Sequence, residues 1–217
     1  SAVEQIEEAV HVRSPPWLWK DSTILAGRAA DIKGRFKNYA TYAPLVDRTL
    51  AMIFEKDSLR TRFTFDVGMQ DLGGSAVFMD HRDARLGQRE AVKDMAKNLE
   101  RWVHGIVART YKHRAVEELA ANCGIPVING LTDYLHPCQA LSDLFTLHER
   151  FGSVKNRRVV YVGDGNNTCH SLMHVCALMG AHITVCSPEG YEPNARVVSE
   201  AMIMARESGS DIEIMND

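Results

Sequence analysis

The chain has 217 residues, a formal net charge of −3 and 45% hydrophobic residues, so it is long enough to bury a core but carries no global basic field for a nucleic acid. Its 24% charged and 7% aromatic residues exclude disordered, collagenous and coiled-coil chains. The five cysteines, Cys123, Cys138, Cys169, Cys176 and Cys186, form no CxxC pair. Without a recognisable leader before them, they point to reduced thiols in the cytoplasm, or in the mitochondrion for a processed form.

The first fifty residues say least. Glu4 to Val10 suggests a short amphipathic turn interrupted at Ser14-Pro15-Pro16, and Asp21 or Ser22 is placed to cap a helix reaching about Lys37. From Thr49 an alternation begins. The apolar run Leu50–Phe54 predicts a strand, and Ser58 caps a helix carrying Leu59, Phe63, Val67 and Leu72 as its inner stripe, stopped at Gly73-Gly74. Ala76–Met79 is the next strand, followed by a helix from about Glu90 with Val92, Met95, Leu99 and Val103 on one face. Gly105–Ala108 then reads as a strand with Arg109 at its carboxyl end, before a helix through Val116, Leu119 and Ala120.

Pro126–Asn129 is the fourth strand, and Pro137 opens a long helix through Leu141, Leu144, Leu147 and Phe151, where a missing N–H costs nothing. A second series starts with a strand at Val159–Val162, the loop Gly163-Asp164-Gly165-Asn166-Asn167, and a helix to Met179. It continues with a strand at Ile183–Cys186, a helix over Ala195–Ser208 and a strand from Ile212. Gly165 to Pro188 contains no Asp, Glu, Lys or Arg, but its three histidines, two asparagines and Gly180 make it a buried helix and strand rather than a membrane span. The expected fold is α/β, with parallel sheets flanked by helices in two consecutive βαβ-type domains, 1–151 and 152–217, the second incomplete. Its severed sheet is expected to expose Ile183, Val185 and Ile212.

In such sheets ligands sit at the carboxyl ends of the strands. Three polar strand exits, Glu55–Arg62, Arg109–His113 and Asp133–Gln139, are expected to converge on one edge. Ser58-Leu59-Arg60-Thr61-Arg62 puts two hydroxyls, two guanidiniums and free N–H groups at a helix start, which suits a phosphate dianion or, alternatively, is an N-cap followed by solvated arginines. Arg109 and His136 have bland readings as a surface arginine and a backbone-bound histidine. Together with Thr61 they form a donor group able to polarise a carbonyl beside that anion, with Gln139 able to accept from an adjacent N–H.

Phe54–Phe65, Ala108-Arg109 and His136-Pro137-Cys138-Gln139-Ala140-Leu141-Ser142-Asp143 closely resemble the carbamoyl-phosphate motifs of the aspartate and ornithine transcarbamoylases. Within that superfamily, Val162–Asn167 followed by Ser171 resembles the ornithine members. The resemblance implies that Ser58 and the backbone of Leu59, with Arg60 and Thr61, bind phosphate. It also implies that Arg109, His136 and Thr61 contact the carbonyl oxygen as the catalytic group, that Gln139 contacts the amide, and that Pro137 and Cys138 belong to the same site. Asn167, with Asn166 beside it, would hold the amino-acid portion of L-ornithine. The family joins three chains, and Asp83-Ala84-Arg85-Leu86-Gly87 occupies the loop by which a neighbour completes each site, with Arg85 where Gln or His is usual.

The implied reaction yields citrulline and phosphate with no metal and no organic cofactor, in a homotrimer or multiple of trimers, without nucleic acid or membrane. The family's later ornithine-binding loops do not occur before Asp217, so a fragment or natural truncation that binds carbamoyl phosphate without turnover is one alternative and a putrescine carbamoyltransferase another. Two rivals are weaker. Gly163-Asp164-Gly165 lacks the third glycine of a dinucleotide loop, and His170 with His174 lacks the rest of a zinc set.

Overall fold

The structure, a computed structural model, describes residues 22–81 and 85–216. Glu4–Val10, Ser14-Pro15-Pro16 and Asp21, as well as Asp83 and Ala84, therefore lie outside the described residues. By compactness the chain divides into one unit of residues 27–132 and a second of 133–217 joined by the segment ending at Ala26. Helix α1 (Ser22–Lys37) spans that division in sequence.

The first unit is a four-stranded parallel sheet built from β1 (Thr49–Phe54), β2 (Ser75–Asp80), β3 (Gly105–Arg109) and β4 (Val127–Leu131), in the order β2-β1-β3-β4. Helices α2 (Leu59–Asp71), α3 (Val92–Trp102) and α4 (His113–Asn122) make the crossovers. Alternation along β1 splits the core in two, because successive side chains point to opposite faces. Ala51 and Ile53 join Ile106 and Ala108 under α3 and α4, while Leu50, Met52, Phe54 and Val107 face the α2 side. In α3, Val92, Met95, Ala96 and Leu99 are buried, the i, i+3, i+4, i+7 stripe of an amphipathic helix.

The inner stripe of α2 differs from the expected one. Leu59, Phe63 and Val67 are exposed, and Phe65 and Met69 are the residues that pack on the sheet, beside the edge-to-face pair Phe54–Phe78 at 5.4 Å. The sequence of α2 carries apolar residues on two faces, and the shape of the sheet selects one. Because α2 covers one face of the sheet and α3 and α4 the other, strand order reverses between β1 and β3. The exits of those two neighbours are the natural ligand crevice of an open α/β sheet.

The second unit holds α5 (Pro137–Phe151), α6 (Asn167–Met179), α7 (Ala195–Ser208) and a parallel sheet of β5 (Arg158–Val162), β6 (His182–Ser187) and β7 (Ile212–Asn216) in sequential order. Gly152 ends α5 in the left-handed region at φ 75°, which glycine adopts without a Cβ penalty. From Cys169 to Ala177 every residue of α6 is buried, as the uncharged stretch led us to expect, because α5, α7 and the sheet enclose it. The sheet's exposed apolar residues are Val160, Val162 and Met215 rather than the expected set: Ile183 and Val185 are fully buried and Ile212 half-buried. The inward face of β6 meets the helices, and alternation puts the outward residues of β5 and β7 in solvent. Among the described residues no helix is long and apolar enough to cross a membrane.

Candidate active site

In the first unit the site grows from the end of β1. Ser58 is extended (φ −160°, ψ 108°) and its Oγ accepts the Thr61 N–H at 3.1 Å, so it caps α2 as its sequence position predicts. The capped helix still directs its dipole and the remaining first-turn N–H groups outward from its start. Arg60 is exposed and makes no ion pair among the described residues, whereas the Arg62 guanidinium lies 3.8 Å over the Phe78 ring. Of the two arginines of this turn, only Arg60 is uncommitted and available to an anion.

Arg109 is the last residue of β3, paired with Phe54 in register, and the β3–β4 register shifts at this point. Its Nη2 donates to the Asp57 carbonyl at 3.5 Å, a long bond that places the guanidinium beside the turn leading to Ser58. The Nε of Arg109 is buried with no hydrogen-bond partner among the described residues. Burial pulls the pKa of the guanidinium below its ordinary 12.5. A buried donor so placed at a strand exit is positioned to meet an acceptor on a ligand.

Glu55, in the same turn, is only 5% exposed. Its Oε1 accepts the Leu86 N–H at 2.7 Å and its Oε2 the Tyr111 N–H at 2.8 Å, while its own N–H donates to the Arg109 carbonyl at 2.8 Å. Lys56 Nζ and Arg85 Cζ each lie 4.4 Å from the centre of the Tyr111 ring, within cation–π range. Sequence reading missed Glu55 and Tyr111, since an acid in a polar turn reads as solvated. The one available signal was that Glu55 directly continues a fully apolar strand.

The second unit carries the other candidates. His136 stands just before α5, and its backbone N–H donates to Ser171 Oγ at 2.8 Å, with Pro137 at the first helical position. Gln139 Nε2 donates to Asp143 Oδ1 at 2.9 Å, which leaves Oε1 as an acceptor. Burial pushes the Cys138 thiol up to about 11, so it is no thiolate near neutrality. Asn166 is the N-cap of α6: its Oδ1 accepts from Thr168 N, Cys169 N and the Tyr161 hydroxyl, at 3.0, 3.3 and 3.4 Å. Its carbonyl is thus spent on the fold, and Asn167, half-buried at the first position of α6, carries the candidate ligand role in this pair.

The rivals meet specific obstacles. A Cβ on Gly165 would stand 2.2 Å from Pro193 N and 2.5 Å from the Glu192 carbonyl carbon, so this glycine lets the loop approach residues 191–193, whose Tyr191 carbonyl accepts its N–H at 2.8 Å. Gly165→Ala is accordingly expected to cost about 1–3 kcal/mol of stability, read as a lower urea midpoint. An unchanged midpoint would show that the contact is dispensable. His170 is bound at both ring nitrogens: Nε2 accepts the Asn194 N–H at 3.0 Å, so Nδ1 carries the proton and donates to the Tyr134 carbonyl at 2.8 Å. That ring has no lone pair to offer zinc.

The carbamoyl-P binding domain of the aspartate/ornithine carbamoyltransferases matches residues 19–149, and the Asp/Orn binding domain of the same enzymes matches residues 155–217. The chain belongs to this family. Within it, the chain is 49% identical over 189 residues to an ornithine carbamoyltransferase of Anoxybacillus flavithermus, covering 87% of this chain and 60% of that relative. The structure of ornithine carbamoyltransferase from Pyrococcus furiosus superposes with a TM-score of 0.89 at 44% identity, covering 91% of this chain and 63% of the other. Ornithine transcarbamoylase from Giardia lamblia gives 0.85 at 30% identity, covering 97% and 70%. The chain thus spans 55–60% of the length of the curated relatives it matches.

Proposed function

We propose that residues 1–151 are the carbamoyl-phosphate domain, and residues 152–217 the first part of the amino-acid domain, of a cytoplasmic ornithine carbamoyltransferase. The observation that carries this reading is the buried Nε of Arg109 at the β3 exit, which has no partner among the described residues and lies beside the Asp57 carbonyl of the turn that leads to the capped start of α2. In this reading Ser58, the N–H groups of Leu59 and Arg60, the Arg60 guanidinium and Thr61 hold the phosphate. Arg109 and Thr61 donate to the carbamoyl oxygen, joined by His136, and Gln139 Oε1 accepts from the carbamoyl amide, with Pro137 and Cys138 lending backbone to the same turn.

The neutral side-chain amine of L-ornithine attacks the carbonyl carbon, held by Asn167 with Asn166 bracing the turn. A C–N bond forms as the carbonyl electrons move to oxygen. That tetrahedral species collapses with cleavage of the C–O bond to phosphate, and the departing phosphate takes up the proton that the amine loses, leaving citrulline and inorganic phosphate. The residues act by orienting two substrates and by aiming fixed positive charge at developing negative charge. A homotrimer belongs to the same reading. Exposed Phe63 and Val67, about one turn apart on α2, supply apolar surface for a second copy, and the Arg85 loop supplies a cation.

Calorimetric titration of the chain with carbamoyl phosphate tests the reading. Binding is expected, and Arg60→Ala should weaken it about 10- to 100-fold, the range for a charge-assisted hydrogen bond. Absence of binding by the unmodified chain, or full affinity in Arg60→Ala, would overturn the phosphate assignment. Citrulline formation on adding L-ornithine, with none from putrescine, would separate an ornithine transferase from its two alternatives.

A further inference from the structure

The carboxylate of Glu55 is buried and bound to backbone rather than to a cation among the described residues. Lys56, Arg85 and Arg109 are its sequence or loop neighbours, but Glu55 makes no ion pair among the described residues. Its two oxygens are instead each satisfied by one backbone N–H, Leu86 at 2.7 Å and Tyr111 at 2.8 Å. Leu86 directly follows Arg85, and Tyr111 lies two residues after Arg109. The backbone of Glu55 closes the same knot by donating to the Arg109 carbonyl at 2.8 Å, and the preceding Phe54 carbonyl accepts the His81 N–H at 2.8 Å.

We propose that Glu55 is a positioning residue, whose carboxylate ties the Arg85 segment to the Arg109 segment so that the Arg109 guanidinium stays unneutralised and aimed at the substrate anion. This inference rests on the carbamoyl-phosphate reading above. The chemistry requires glutamate. Two N–H donors converge on two acceptor oxygens, so a glutamine in either orientation sets its own NH2 against one of them. An aspartate is one methylene short of spanning both. Pairing with backbone rather than with an arginine also leaves the site's positive charge available, and the Tyr111 ring held by the clamp provides the platform on which Arg85 rests.

The test is Glu55→Gln in the full chain, titrated separately with carbamoyl phosphate and with inorganic phosphate. Inorganic phosphate uses chiefly the Ser58–Thr61 turn, whereas carbamoyl phosphate also needs Arg109. The preference for carbamoyl phosphate over inorganic phosphate is therefore expected to fall about tenfold, the consequence of losing roughly one charge-assisted hydrogen bond. In an Arg109→Ala background the same substitution should leave that preference unchanged, because the arginine it positions is gone. Equal weakening of both ligands, or a further loss of preference in the Arg109→Ala background, would overturn the proposal and leave Glu55 a structural residue. If Glu55→Gln fails to fold, Glu55→Asp, which keeps the charge and withdraws it, carries the same comparison. Failure of the unmodified chain to bind carbamoyl phosphate is a different result and overturns the functional reading itself.

Discussion

Arg109→Ala is expected to lower carbamoyl transfer about 10²- to 10³-fold, the loss typical of one fixed donor to a developing oxyanion. The size follows from how the side chain is held. Arg109 ends a strand whose neighbours on both sides are paired with it, so its Cα is set by the sheet rather than by a loop. Its Nε is buried without an acceptor among the described residues, and burial lowers the pKa of the guanidinium while leaving it charged at any working pH. In such surroundings a donor gains more from a charge that appears in the transition state than it would in water. Arg109→Lys should not restore the rate, since an ammonium lacks the planar fork that lets Nη2 rest on the Asp57 carbonyl while Nε faces elsewhere. The check is citrulline formation under saturating substrates together with carbamoyl-phosphate affinity. Near-normal values of both in Arg109→Ala would remove Arg109 from the reaction.

Much of this arrangement is legible in the sequence, for identifiable reasons. The stripe Val92, Met95, Leu99 stands alone in its segment, so it predicts the buried face of α3 correctly. The α2 segment has apolar residues at 59, 63, 65, 67, 69 and 72, which define two faces, and periodicity alone does not choose between them. β4 runs on to Leu131, two residues past its expected end, because the register shifts after the Ala108–Asn129 pair, so that Gly130 is skipped and Leu131 pairs with Arg109.

The candidate site divides along the same line. Ser58 and Arg109 follow from local rules, a cap before an apolar run and a charge at a strand exit. Glu55 and His170 do not, because their partners lie 31 and 56 residues away in one case and 36 and 24 in the other. A buried polar side chain declares its role only when the fold brings its partners to it. Arg62 and Asn166 show the converse: motif position makes them attractive as ligands, and a ring face or a set of helix N–H groups takes them instead.

Acid is expected to destabilise the second unit before most carboxylates are protonated. His174 is 4% exposed at its side chain, and burial pushes its pKa from 6.5 down to about 4, against the opposing pull of Glu200 with its Oε2 3.6 Å from Nε2. The folded chain therefore keeps this ring neutral where the unfolded chain takes up a proton at the ordinary value. Between those two pKa values the unfolded state binds more protons, so stability falls as pH drops from about 6.5 towards 4, by up to about 3 kcal/mol from this residue. Burial also lowers His170, which acts in the same direction, since protonating Nε2 would remove the acceptor of the Asn194 N–H. Urea midpoints measured at pH 7 and pH 4.5 should show the loss, and His174→Gln, which cannot titrate, should flatten it. An identical pH slope in His174→Gln would mean that the buried ring does not set the acid limit and that other groups do.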